Sequence, residues 1–162
     1  MRSMLGFATL AIALFACGGD GGGGRTSEFI ATWVYAPGAT NMYMCDNGEM
    51  GSQPVSAGVE WRFEAGTDSD LIVPADPSDT SGCGPLKLNV SGSVARVVSG
   101  AGCTYTNANG VTIMTSFTKG EATLAADGNS LLEDVGLMVK LSMGSMMVNC
   151  TETSTATSNR KM

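Results

Sequence analysis

The chain has 162 residues, a formal net charge of −6 and no histidine. This acidic balance, without a basic cluster, excludes nucleic acid and anionic lipid surfaces as electrostatic partners. The absence of histidine removes the commonest general base and the usual ligand of catalytic zinc, so we expect neither enzymatic activity nor a cofactor.

The N-terminus combines a positive charge with an apolar run that ends at a cysteine. Arg2 is followed by an apolar run over residues 4–16 and then by Cys17. The order Leu, any residue, small residue, Cys resembles the signal of bacterial lipoproteins, which implies cleavage before Cys17 and lipid attachment to it. The run is shorter than the roughly 20 apolar residues that span a membrane. We therefore expect residues 1–16 to be a signal peptide, with an ordinary secretory signal as the alternative.

A glycine tract follows this signal. Residues 18–24 are glycine except for Asp20, which is typical of a flexible linker. We expect residues 17–27 to be the lipidated cysteine and its tether, and residues 28–160 to form a single β domain. The layout resembles small glycine-tethered lipoproteins of myxobacteria and their relatives. That resemblance implies a membrane-anchored protein of the cell envelope. In enterobacterial lipoproteins, an aspartate directly after the lipidated cysteine retains the protein at the inner membrane. Gly18 occupies that position here, so the same resemblance implies the outer membrane.

Four cysteines remain after Cys17, and their even number in an exported chain predicts two disulfides. Zinc sites use closely spaced ligand pairs, which these cysteines do not form. Four cysteines allow three pairings, so the choice depends on which strands lie side by side.

The clearest hairpin lies over residues 86–98. Gly92-Ser93 is a Gly-first two-residue loop, which is typical of a type II′ turn. This loop places Leu88 opposite Val97. Moving the loop back by one residue would place two basic side chains opposite each other, which is destabilising.

The same register, extended outwards, suggests the disulfide pairing. It brings Cys83 opposite Gly102, one residue from Cys103, and opposed positions in a ladder suit a disulfide. We therefore predict a bond between Cys83 and Cys103. By elimination, Cys45 pairs with Cys150 and joins the first part of the domain to the last.

Alternating apolar and polar residues predict further strands along the chain. Helix is nearly absent, with only a turn or strand entry near residues 130–135. We expect an all-β fold, an antiparallel up-and-down meander of about eight strands that closes into a barrel, with a two-sheet sandwich as the alternative. The further predicted strands cover residues 29–35, 59–64, 71–73, 111–118 (ended by Lys119-Gly120), 121–126, 137–143 and 146–150.

The tripeptide Ala31-Thr32-Trp33 resembles the Gly-x-Trp motif on the first strand of lipocalins and related calycin barrels, with Ala31 in the glycine position. The resemblance implies that Trp33 packs at the closed end of a barrel with Arg160 stacked over it. It also implies a binding cavity. The large aromatic residues that would line such a pocket are Trp33, Trp61, Phe63 and Phe117.

The predicted β domain supports two functional hypotheses of different class. In the first, the domain is a non-catalytic structural or interaction module of the envelope, with a filled core and a protein or glycan partner. In the second, a barrel cavity holds a small apolar ligand, as in lipocalins. A cavity lined by the large aromatic residues and open at one end would favour the second function.

Two remoter hypotheses concern metals. The chain is rich in methionine, whose thioether favours Cu(I), and Met42 and Met44 share one side of a strand. We expect instead that Met143 and Met146 fill the inward face of the last hairpin, with Met138 and Met147 on the opposite face.

The second metal hypothesis is Ca²⁺, which prefers oxygen ligands. Asp68, Asp70, Asp76 and Asp79 cluster in a predicted loop, although without the spacing of a calcium loop. A solvated polar loop is the simpler interpretation.

Overall fold

The computed structural model describes residues 25–75 and 82–162, which form an almost entirely antiparallel β-structure. The predicted all-β antiparallel class is therefore confirmed. The signal peptide, Cys17, residues 18–24, Asp76 and Asp79 lie outside the described residues. The elements are α1 (Thr26–Phe29), β1 (Thr32–Tyr35), β2 (Thr40–Cys45), β3 (Met50–Pro54), β4 (Glu60–Arg62), β5 (Glu64–Ala65), β6 (Leu71–Val73), β7 (Leu86–Ser91), β8 (Val94–Val97), β9 (Gly102–Thr106), β10 (Thr112–Leu124), β11 (Ser130–Met143) and β12 (Met146–Arg160).

Three long strands, β10, β11 and β12, form the centre of the sheet, and β11 pairs with the other two along its whole length. The predicted strand end at Lys119-Gly120 is wrong, because β10 continues through a bulge between Phe117 and Lys119. The bulge places Phe117 opposite Leu137 and Gly120 opposite Val135, so both sides of it keep the same face inward.

The expected closed barrel is wrong, and the alternative sandwich is not formed either. The strands make one sheet in the order β3-β2-β12-β11-β10-β8-β7-β6-β5, with β1 between β12 and β4 and with β9 beside β10. Among the described strands, β4 pairs only with β1 and β5 only with β6. Phe63 lies between them outside both strands, so the ladder does not close. The strands are also too unequal for a simple meander. One edge of β12 pairs with β1 along one segment and with β2 along another. In the same way, separate segments of β10 pair with β8 and with β9.

The hydrophobic core lies at one end of the long strands, which we call the core end. Its buried residues come from α1, β1, the link between β4 and β5, β6, β7, β8 and the adjoining ends of β10 and β11. The rest of the long strands, with β2, β3 and β9, extends away from this core, and we call that part the distal sheet. The buried core residues are Phe29, Trp33, Phe63, Leu71, Leu88, Val90, Ala95, Ala122, Leu124 and Leu131.

Arg25, predicted to lie in the tether, belongs instead to the core end. The Arg25 amide donates a hydrogen bond to the Gly92 carbonyl at 3.0 Å, and its guanidinium contacts Glu28 at 2.6 Å and the Ala125 carbonyl at 2.9 Å. The strand predicted over 29–35 begins only at Thr32, because residues 26–29 form a helical turn. Among the described residues, no helix is long and apolar enough to cross a membrane.

Both expected disulfides are present. Cys45 lies directly opposite Cys150 in the β2–β12 ladder. Cys83 is bonded to Cys103 with 5.6 Å between their Cα atoms.

The register argument behind the second bond is only half right. The β7–β8 hairpin has the predicted register, with Leu88 opposite Val97. Beyond Val98 the chain turns away and β9 pairs with β10, so Gly102 lies opposite Ser116 and not opposite Cys83.

Candidate functional site

At the core end, Trp33 and Arg160 have the arrangement that the lipocalin resemblance implies, although the sheet around them does not close into a barrel. Trp33 is 0 % exposed, and its indole N–H donates to the Phe29 carbonyl at 3.0 Å. Arg160 lies opposite Trp33 in the β1–β12 ladder, with its guanidinium carbon 5.0 Å from the centre of the indole ring. The same guanidinium donates to the carbonyls of Gly128 and Glu28, so the cation is held over the ring.

A cavity of about 260 Å³ adjoins the core end, on the inward face of the sheet. Three of the four aromatic residues proposed for a pocket, Trp61, Phe63 and Phe117, line it. Trp33 does not, because it is buried in the core below. The Trp61 and Phe63 rings meet edge to face with 4.9 Å between their centres, so one wall of the cavity is a continuous aromatic surface.

A second cavity of about 200 Å³ adjoins the first. Both are lined by Tyr35 of β1 and by Glu133, Val135 and Leu137 of β11. Because alternate residues of a strand point to one face, these three residues of β11 form a single inward stripe along both cavities.

A buried carboxyl group stands at the junction of the two cavities. Glu133 is 8 % exposed, and its two oxygens accept hydrogen bonds from Tyr35 Oη at 3.1 Å and Ser158 Oγ at 2.6 Å. Trp61 Nε1 donates to Ser158 Oγ at 3.1 Å, which ties the cavity wall to this network. In the described part of the chain, every buried side-chain nitrogen or oxygen has a hydrogen-bond partner.

Burial shifts both acids of this network. Desolvation raises the pKa of Glu133 above its usual 4.5, although the hydroxyl groups of Ser158 and Tyr35 oppose the shift. Burial, and then the neighbouring Glu133 charge, raises the pKa of Tyr35. The network therefore holds its protons more firmly than the same groups do in water.

Sequence reasoning missed Tyr35, Glu133 and Ser158. A signal for Glu133 was present, since residues 131, 133, 135 and 137 share one strand face and only Glu133 of the four is charged. The interpretation of residues 130–135 as a helical turn or strand entry hid that alternation. Tyr35 and Ser158 have no comparable signal, because Tyr35 belongs to β1 and Ser158 to β12, and their contacts with Glu133 depend on how these strands are arranged around β11.

Two carboxylates of the predicted acidic loop, Asp68 and Asp70, lie among the described residues and bind different partners, as does Glu60 of β4. Asp68 binds Lys87 at 2.5 Å, and the Asp70 carboxylate accepts from the Val90 amide at 2.6 Å. Glu60 pairs with Lys161 at 2.8 Å. In residues 25–75 and 82–162, no group of three acidic, cysteine or histidine residues is placed to hold a metal ion.

The methionines lie at the surface of the distal sheet. Met143 and Met146, expected to fill an inward face, are 45 % and 61 % exposed, so that prediction is wrong. The hairpin that carries them extends beyond the core, and among the described residues both side chains remain exposed. On the opposite face, Met44 lies opposite Met50 in the β2–β3 ladder, and the exposed members of that face also include Met42, Met114, Met138 and Met147.

Comparisons of the chain with protein-family models, with curated proteins and with solved structures found no match.

Proposed function

We propose that this protein is a lipid-anchored component of the cell envelope whose β domain binds a small apolar ligand. The observation that carries this proposal is the 260 Å³ cavity lined by Trp61, Phe63 and Phe117. Concave sites lined mainly by apolar and aromatic side chains, with a few polar groups, are typical of small-molecule binding. Glu133 and Tyr35 supply such polar groups.

The size of the cavity sets the ligand class and the affinity. Its volume lies just below the range of about 300–1,000 Å³ that is common for ligand pockets, so we expect a short chain or a single ring system. Burying six methylene groups contributes about 5 kcal/mol at roughly 0.8 kcal/mol each. This corresponds to a dissociation constant of about 0.2 mM.

The anchoring part of the proposal rests on Cys17 and on the glycine tract that follows it. An acylated Cys17 would carry more than one chain, which is sufficient for stable attachment. Intact-protein mass spectrometry of the membrane fraction should show a mature chain that begins at Cys17 with an added lipid mass. An unmodified chain that begins elsewhere would contradict it.

A second role, in protein interaction, is favoured by the exposed methionines of the distal sheet. Apolar patches at a surface mark binding sites, and the flexible methionine side chain adapts to different partners. This observation favours an envelope protein over a glycan as the partner.

Calorimetry with 1-octanol tests the binding proposal. Val135 lines both cavities, so Val135→Phe should fill the available space and abolish the binding heat. Leu132, on the opposite face of the same strand, is 52 % exposed, so Leu132→Phe is the matched control and should bind normally. Equal affinity in both variants would overturn the proposal.

A further inference from the structure

We infer that the cavity selects an apolar amine, a short chain or ring whose ammonium group pairs with Glu133. This inference rests on the proposed function, because it names the ligand class for the same site. The feature that carries it is a carboxyl group on the wall shared by both cavities, held by Tyr35 and Ser158.

Glu133 has hydrogen-bonding capacity left for a ligand. Its two oxygens together offer about four lone-pair positions. Ser158 occupies one position on Oε1 and Tyr35 one on Oε2. An ammonium N–H that reaches the carboxylate from the cavity would add a charge-assisted hydrogen bond, which is about twice as strong as a neutral one.

The aromatic residues next to Glu133 also suit a cation. The Tyr35 and Trp61 rings lie with 6.0 Å between their centres, and both side chains belong to the hydrogen-bond network of Glu133. A cation within about 6 Å of the centre of such a ring is attracted to its face, most strongly for tryptophan. The carboxylate and the two rings thus favour the same charge.

The other charged residues that line the two cavities are acidic. Glu152 of β12 lines the smaller cavity, and the Glu121 carboxylate of β10 is engaged by Arg96 at 2.8 Å. From β2, the smaller cavity is lined by the neutral Asn41. None of the described residues that line the two cavities is Lys or Arg. The carboxylate of a fatty acid would therefore be repelled by the acidic lining and would find no basic partner there.

Calorimetry at pH 7 with three probes of equal chain length, octylammonium, 1-octanol and octanoate, tests this inference. We expect octylammonium to bind at least tenfold more tightly than 1-octanol, and octanoate to bind most weakly. Glu133→Gln keeps the size and hydrogen-bonding capacity of the side chain while removing its charge. It should weaken octylammonium at least tenfold and leave 1-octanol unchanged.

Asp134→Asn provides the matched control, since Asp134 is the next residue and pairs outside the cavity with Lys119 at 2.5 Å. This variant should behave like the parent protein. Retained 1-octanol binding shows that Glu133→Gln is folded. If 1-octanol binds but octylammonium has no advantage, or keeps its advantage in Glu133→Gln, the inference fails and the proposed function stands. If no probe binds, both fail.

Discussion

The core end and the distal sheet are built from the same three long strands but are stabilised differently. At the core end, Trp33, Phe29, Leu71 and Leu131 are almost completely buried. In the distal sheet, the methionines of the outer face are about half exposed. Cys45 is buried there and is bonded to Cys150. Burial of apolar surface therefore stabilises the first region, and ladder pairing with a covalent cross-link stabilises the second.

This difference places the ligand site at the boundary of the two regions. The cavities begin where the buried stripe of β11 reaches Glu133 and end where it reaches Leu137. Below them, the core is filled. Above them, no described residue of the distal sheet belongs to the buried core cluster.

The largest effect is expected from a change in the core end. Trp33→Ala should reduce the free energy of unfolding by about 3–5 kcal/mol, because it leaves a cavity under the Arg160 guanidinium. Chemical denaturation measures this loss. A loss below about 1 kcal/mol would mean that Trp33 is not central to the core.

The next effect concerns the covalent link of the distal sheet. Replacing Cys45 and Cys150 by serine should cost about 2–4 kcal/mol, because their disulfide joins residues 105 positions apart. Hydrogen exchange should show faster opening in β2 and β3 than in β7 and β8. Equal acceleration in all four strands would contradict the separation of the two regions.

The second disulfide provides the comparison for the first. Replacing Cys83 and Cys103, which are 20 positions apart, should cost less in denaturation, because the closed loop is shorter. A larger loss than that of the Cys45–Cys150 variant would show that this link also supports the core end.

A smaller effect is expected from pH. Because the pKa of Glu133 is raised on folding, the folded state holds its proton more tightly than the unfolded state above pH 4.5. The contribution of this group to stability is complete below pH 4.5 and is lost as pH rises through the folded pKa, by at most about 1.4 kcal/mol per pH unit.

Glu133→Gln separates that contribution from those of the other titratable residues that line the cavities, namely Tyr35, Glu121 and Glu152. Thermal unfolding of the parent protein and the variant is compared from pH 4 to pH 8. The difference between them should change across this range, and a constant difference would show that Glu133 does not titrate differently on folding.

The smallest effect is expected on the outer face of the distal sheet. Met44→Leu and Met138→Leu should change the free energy of unfolding by less than about 0.5 kcal/mol, because both side chains are half exposed. Octanol binding should be unaffected. A weakened affinity would mean that this face communicates with the cavity.

Sequence reasoning recovered the features that depend on local alternation and turn chemistry. The β7–β8 register followed from Gly92-Ser93, and the alternation around Trp61 and Phe63 placed both rings inward. The Arg160 stack was accessible only through the Gly-x-Trp resemblance, since the two residues are far apart in the chain.

The features that depend on long-range pairing were not recovered. Whether a sheet closes depends on which strands share an edge, and nothing local to Phe63 reveals that β4 and β5 separate there. The Glu133 network draws its hydroxyl groups from β1 and β12, so its position became visible only when β11 was placed between its neighbours.

The tryptophan fluorescence of the protein during a titration with 1-octanol tests the central claim most directly, because Trp61 lines the cavity and Trp33 does not. We predict a saturable change in the parent protein that disappears in Trp61→Phe, whose remaining Trp33 is buried in the core. Val135→Phe, which retains both tryptophans, should also show no change. An unchanged spectrum in the parent protein, or an equal response in Val135→Phe, would contradict ligand binding in this cavity.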